Sequence, residues 1–588
     1  MNISGFLNNG KYSRLLLSFG FLLIFNNMTI LYFHHPQGYV EDIYSILPAS
    51  FFGALILCYL ISSVVLLSEQ GIVRKFGIFL LILNHVTILL IPSMLGYYSM
   101  GRFDDVTYIG EYVHISRTGA ISDWNIYPGS HILGATLSII SGLPANGAAF
   151  VMPIVFSFIF VGGLYLCCHF FLKMEKLVNI AVLSSFILYL GPYNFLNVPH
   201  ALFFAYMPLF IFILSVYIKR PNFATAALVL IPTVLVPFMH PFIVLFVFAL
   251  FLILILFGRV LNRFIQGDYW RATRPFLILS TGFLSWFMYC DQLLGNFEMS
   301  YRHYLQRTTE PVLLETVDKL ARINVDIFKI TKLLFVYYGR YMIPLVVIGI
   351  ALILVYLKRD KFSQFLKNRM QFFLILYIMF LVAEAALFLN PMFSHQPDRM
   401  TNLNFMVYAQ VPLFVLSLSA LFTKSKFFNR QMILLLLLLA GTWGLSLFGT
   451  FDSPNIFRAN VALTCNEVEG MEWYYEVRDS ENIIVPWSQI GRFHDLFNTG
   501  ESDKRIPIPD HFGYDSSHRS FADMHLKNDL QSYAILLTYD ELLYQEVPGY
   551  MEVGRYNAGD YARFRNDQSV GVKIYDNLNI EIYDVRVA

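Results

Sequence analysis

Apolar stretches long enough, or nearly long enough, to cross a bilayer recur from residue 12 to residue 449 with most charges between them. That pattern leaves the chain few folds. A hydrocarbon core of about 30 Å offers backbone amides no water, so it is crossed by helices of about 20 apolar residues. Thirteen segments qualify when short ones are admitted: 12–33, 45–67, 74–98, 146–171, 177–195, 201–218, 223–239, 241–257, 273–294, 332–357, 371–390, 401–422 and 431–449. With 56% hydrophobic and 14% charged side chains, the chain lacks the polar surface of a soluble particle. The expected fold is a polytopic α-helical membrane protein with about 13 transmembrane helices.

Loop charge orients it. About twenty Lys and Arg gather on the side of Lys11, Arg74, Lys173, Lys219, Arg259, Lys358 and Lys424, against about eight in the short loops opposite, which places the N-terminus in the cytoplasm. Lys11 and Arg14 precede a long apolar run without a small-residue cleavage site, which reads as a retained first helix rather than a signal peptide. The break Pro237–Pro241 inside 223–257 has basic flanks on both sides, so a helical hairpin or re-entrant pair is expected there. Residues 131–143 are too short to span and read as an interfacial helix.

After Thr450 the chain turns polar. Strands are expected at 482–486 and 533–537, and a β-hairpin over Gly571–Val585 turning at Asp576–Asn579. The expected division is a membrane domain over 1–450 with an external catalytic loop at 99–145, and an extracytoplasmic mixed α/β domain over 451–588. Five cysteines without CxxC or Cys/His spacing offer neither a disulfide framework nor a zinc site. A net charge of +1 argues against nucleic acid as a partner.

The loop from Gly101 to Ser130 is the polar island among these spans. Asp104 and Asp105 lead a helical pattern with apolar Val106, Ile109 and Val113, so Asp104 suits an N-cap, and the helix dipole favours a carboxylate there. Capping alone and a catalytic role both account for an Asp pair at this position. Asp123-Trp124 and the turn Ile126-Tyr127-Pro128-Gly129-Ser130-His131 follow, leading into the interfacial helix.

An acidic pair in the first large external loop, followed by a Tyr-Pro-Gly turn and a juxtamembrane helix, resembles the glycosyltransferase C superfamily. The resemblance implies a sugar donor linked to polyprenyl or dolichyl phosphate, a glycan, lipid or protein acceptor, and a plasma-membrane enzyme acting on the outer face. It makes Asp104, then Asp105, the candidate general base, or Asp104 a ligand for a divalent cation (Mg or Mn). Arg340, Arg399 and Arg302 become candidates for the donor phosphate, with Arg102, Arg307 and Arg322 as further outer-side cations. Glu384, His395, His131 and Tyr127 are expected at the cavity. Arg340 and Glu384, both within spans, are plausible partners, since an ionised group in hydrocarbon normally pairs. The tail carries Trp473-Tyr474-Tyr475-Glu476 where oligosaccharyltransferases carry WWDYG, which argues against transfer to asparagine. A transporter or lipid-linked oligosaccharide flippase gated by Arg340 and Glu384, and a polysaccharide polymerase or ligase using the arginines of 295–329, are the competing readings. No inverted repeat favours transport.

Overall fold

The computed structural model describes residues 10–36, 38–306, 327–388, 404–422, 428–478, 482–485, 491–497, 504–514, 521 and 532–585. Among these, nine helices are long and apolar enough to cross a membrane: Lys11–Phe33, Ala49–Ser68, Gly71–Met94, Ala145–Leu172, Pro199–Lys219, Pro241–Asn262, Ile327–Leu357, Gln364–Ala386 and Gln431–Phe448. The pair Tyr269–Tyr289 and Asp291–Met299, bent by 89°, makes a tenth if it is one span. The protein is multi-pass.

The remaining expected spans are helical but short. Glu175–Tyr189 has 15 residues, with both of its faces buried in the bundle, before Pro192–Phe195 turns the chain. Phe223–Leu235 has 13 residues and passes into the turn Val236–Phe238, because Pro237 and Pro241 lack the amides that a continuous helix needs. Val407–Phe422 has 16 residues, and positions 401–403 lie outside the described residues. Apolar composition cannot distinguish a helix buried in protein from one facing lipid, so length separates these short helices from the nine.

Where Gly71–Met94 ends, Tyr97–Ser99 pairs antiparallel with Leu463–Thr464 and ties the bundle to the tail. The tail builds a five-stranded sheet in the order Lys504–Pro507, Asn482–Val485, Ser532–Leu537, Ile580–Val585, Val572–Asp576. The first three strands are parallel and the last two run antiparallel to their neighbours. Every residue of the central strand Ser532–Leu537 is buried, as in a strand covered on both faces. Trp473 stacks on Tyr575 at 4.8 Å and Tyr474 is fully buried, so the Trp-Tyr-Tyr-Glu stretch is occupied in the tail's own packing.

The helix Asp104–Thr118 lies between the two halves. Val106, Ile109 and Tyr112 share a core with Met471, Tyr533 and Ile535 of the tail. Tyr108 packs instead with Val198 and Ala201 of the bundle. The buried apolar stripe thus runs through Tyr112 rather than Val113, which is only half-buried.

Candidate active site

Phe103, not Asp104, is the N-cap of Asp104–Thr118, and no side chain caps this end. Asp104 is the first residue inside the helix, so its carboxylate is not spent on capping. It is 41% exposed, and Arg492 Nη2 donates to its Oδ1 at 2.7 Å. Asp105 is buried, with the backbone amides of Gly101 and Asn197 facing it. Its Oδ1 accepts no hydrogen bond among the described residues. Burial, then the neighbouring Asp104 charge, pushes the Asp105 carboxyl up to about 8. The acidic pair is therefore split into a solvent-facing carboxylate held by an arginine and a buried acid that keeps its proton at neutral pH. Carboxyls in such contrasting surroundings suit different proton-transfer roles.

Arg492 arrives on the tail helix Gly491–Phe497. Gly110 permits the approach, since a Cβ there would overlap the Asp495 carbonyl and sit 2.8 Å from Leu496 Cα. Thr107 Oγ1 donates to Asp495 Oδ2 at 2.7 Å and accepts from Arg492 Nη1 at 3.3 Å. Sequence reasoning missed both Arg492 and Asp495. They sit in a polar stretch without a motif, and only the fold brings them to the loop.

The rest of the loop is fixed from Glu111, which is buried and accepts from the Ser122 amide at 2.9 Å, Ser122 Oγ at 2.5 Å and Asn125 Nδ2 at 2.9 Å. Asn125 Oδ1 then takes the Nδ1 proton of His131 at 3.0 Å. Burial pushes the His131 imidazole down to about 3, so it stays neutral. Its ring centroid lies 4.6 Å from Tyr108, 6.0 Å from Tyr127 and 6.1 Å from Trp124. Tyr127 continues this wall to His240 at 5.0 Å, and His240 to His200 at 4.6 Å. His131 and Tyr127 thus share one aromatic site beside Asp104, with Tyr108 at the centre.

An apolar groove opens next to that wall. The helix Pro128–Ser141 leaves Ile139 and Ile140 exposed, and Gly134 sits so close to the Tyr112 ring that any side chain there would overlap it. Between this helix and Ala145–Leu172, Pro199–Lys219 and Phe223–Leu235 lies a groove of about 550 Å³ lined by Leu137, Ile140, Val155, Phe203, Ile231 and Met239. Met239 packs against Gly129, where a Cβ would come within 2.5 Å of its Sδ, so the groove ends beside Tyr127 and His240.

The expected phosphate-binding arginines do not converge there. Arg340 is 1% exposed inside Ile327–Leu357, donates to the Leu190 carbonyl and lies 4.8 Å from the Tyr341 ring. Arg302 is exposed on Asp291–Leu305 and pairs with Glu298 one turn away. Arg102 is a buried structural cation: it binds Glu467 Oε1 at 2.8 Å, donates to the Ala462 carbonyl at 3.1 Å and stacks on Tyr539 at 3.8 Å. Arg399 and His395, like Arg307 and Arg322, lie outside the described residues. Glu384 is buried facing the amides of Phe405 and Met406, with Tyr377 and Tyr408 as neighbours. The expected Arg340–Glu384 ion pair is not formed; Tyr341 is a neighbour of both groups. Among the described residues no three His, Cys, Asp or Glu converge as metal ligands. Asp104 would supply one ligand, and its present partner is a guanidinium.

No family model matches the chain, and no curated protein matches it. Among solved structures it is similar to the crystal structure of ArnT from Cupriavidus metallidurans bound to undecaprenyl phosphate, with 9% identity over 86% of this chain and 98% of that chain. The TM-score is 0.46, a likeness too distant to carry a functional argument.

Proposed function

We propose that the protein is an integral-membrane glycosyltransferase of the C type, moving a sugar from a polyprenyl-phosphate-linked donor to a hydroxyl-bearing glycan, lipid or protein acceptor on the outer face. One observation carries the reading: a lipid-facing apolar groove ends at an aromatic wall that adjoins a half-exposed carboxylate. A polyprenyl tail suits the groove by its wholly apolar lining, and its phosphate then lies at the polar end. Aromatic faces such as Tyr108 and Tyr127 suit the apolar face of a sugar ring.

In the reaction, Asp104 takes the acceptor hydroxyl proton as the acceptor oxygen bonds to the anomeric carbon. The bond from that carbon to the donor phosphate oxygen breaks, and the phosphate leaves with the electron pair. Arg492, already at Asp104, is the cation placed to exchange from the carboxylate to the departing phosphate, since guanidinium matches phosphate oxygens in bidentate geometry. Charge neutralisation of the leaving group favours the products.

The test is turnover of radiolabelled polyprenyl-phosphate sugars by the purified protein with hydroxyl-bearing acceptors. Transfer is expected, and it should be absent with an Asn-X-Ser/Thr peptide as sole acceptor. Translocation of the intact lipid-linked sugar without bond cleavage would establish the flippase reading instead.

A further inference from the structure

A second cavity lies at the far end of the bundle. Ala145–Leu172 begins beside the external loop, where Asn146 Nδ2 donates to the Tyr98 carbonyl, and its 28 residues end at Lys173. They carry the chain about 40 Å away from the acidic pair. Around that end a cleft lined by Phe171, Leu214, Leu254, Phe373 and Phe380 runs between helices and opens at Lys219 and Gln266. Its lining is almost wholly apolar, and its mouth is basic.

The charges at the mouth are mostly cationic. Lys219, over the Phe170 ring at 5.1 Å, has Lys173, Arg220 and Arg369 as its charged neighbours. Arg369 lies over the Phe365 ring at 5.3 Å, and its Nη1 is buried with no acceptor among the described residues. The nearby carboxylate of Asp268 is paired with Arg271 at 3.1 Å. A half-buried guanidinium with an orphaned donor, beside three further cations, calls for an anion. The cleft beneath calls for hydrocarbon.

We propose that this is a binding site for one anionic phospholipid of the leaflet opposite the acidic pair, with its phosphate between Lys219 and Arg369 and an acyl chain inserted past Phe171 and Phe373 towards Phe380. Charge selects the headgroup, since basic residues at a membrane surface attract anionic lipids. A zwitterionic phosphatidylcholine also offers a phosphate, but it sets its choline cation against Lys173, Lys219, Arg220 and Arg369. Free phosphate would leave the cleft empty.

The experiment is native mass spectrometry of the full chain in mixed micelles containing equal amounts of phosphatidylglycerol and phosphatidylcholine. One phosphatidylglycerol is expected to remain bound, in roughly tenfold preference. Lys219→Gln and Arg369→Gln should each weaken retention about five- to tenfold. Ser215→Trp, which fills the cleft one turn from Lys219, should abolish it. Each variant is checked for a monodisperse gel-filtration profile, and the charge and cavity variants stand in for one another if either fails that check. Equal retention of both lipids, full retention by Ser215→Trp, or displacement of the lipid by millimolar inorganic phosphate alone would each overturn the proposal.

Discussion

Arg492 reaches across 388 positions of sequence to hold Asp104 at 2.7 Å. This contact makes the tail part of the candidate active site, because the candidate carboxylate and its cation come from opposite halves of the chain. Replacing Asp104 by Asn should lower transfer at least about 100-fold, the contribution of a general base, with the protein still monodisperse in detergent. Arg492→Gln should lower kcat as well, and the double variant should be slower than either single one, because the base and the leaving-group cation act on different atoms. A double variant no slower than Asp104→Asn would mean that Arg492 acts only through the carboxylate.

The groove predicts a dependence on chain length. Leu137→Trp and Ile231→Trp narrow the lipid path without approaching Asp104. Both should raise KM about tenfold or more for a long polyprenyl-phosphate sugar while leaving a water-soluble analogue of two isoprene units unaffected. Initial rates with the two donors check this. Equal losses on both would detach the groove from the donor.

Stability should fall as pH rises from about 4 to about 8. Asp105 and Asp540 are both buried, and burial raises each carboxyl to about 8, in Asp540 despite the nearby Arg102. Between their unfolded and folded pKa values the folded state holds more protons than the unfolded one, so deprotonation favours unfolding throughout that window. Asp105→Asn and Asp540→Asn should flatten the decline and leave the acid side unchanged, by on the order of 1 kcal/mol for each pH unit removed. Thermal melts from pH 4.5 to 8.5 measure it, and unaltered slopes would contradict it.

Arg102 and Glu467 predict an asymmetry. Glu467 also accepts from the Thr464 amide and hydroxyl, so it is both the capping-box carboxylate of Cys465–Val477 and the partner of Arg102. Arg102→Met alone strands a buried anion and should cost about 3–5 kcal/mol. Adding Glu467→Met should recover only part of this, because the cap is lost too. Denaturation of the two variants separates the contributions.

Topology is checked by labelling in intact cells, after Cys465→Ser removes the exposed native thiol. Ala120→Cys and Asn566→Cys should react with an impermeant reagent, and Arg359→Cys should not. The reverse pattern would invert the orientation read from loop charge.

The bundle was legible because hydrocarbon enforces a local rule on every crossing segment. The short helices escaped that rule because Glu175–Tyr189 meets protein instead of lipid, and composition reports only that its surroundings are apolar. Asp104, His131 and Tyr127 could be picked out because they cluster in one polar loop. Arg340 and Glu384 misled for a physical reason: Arg340 finds the Leu190 carbonyl, and Glu384 is buried beside the Phe405 and Met406 backbone instead of beside the arginine. Arg492 could not be foreseen, since nothing in Gly491–Phe497 announces which helix it will meet.

The shared core of Tyr112 with Met471 has a consequence for how the chain is made. Arg102 and Glu467 are 365 positions apart, and at a synthesis rate of about 5–20 residues per second the loop helix is complete roughly 20–70 s before its cover is translated. Throughout that interval the faces of Val106, Ile109 and Tyr112 that meet the tail stay uncovered while later spans are still being inserted. A nascent chain stalled before the tail therefore presents an unfinished apolar surface.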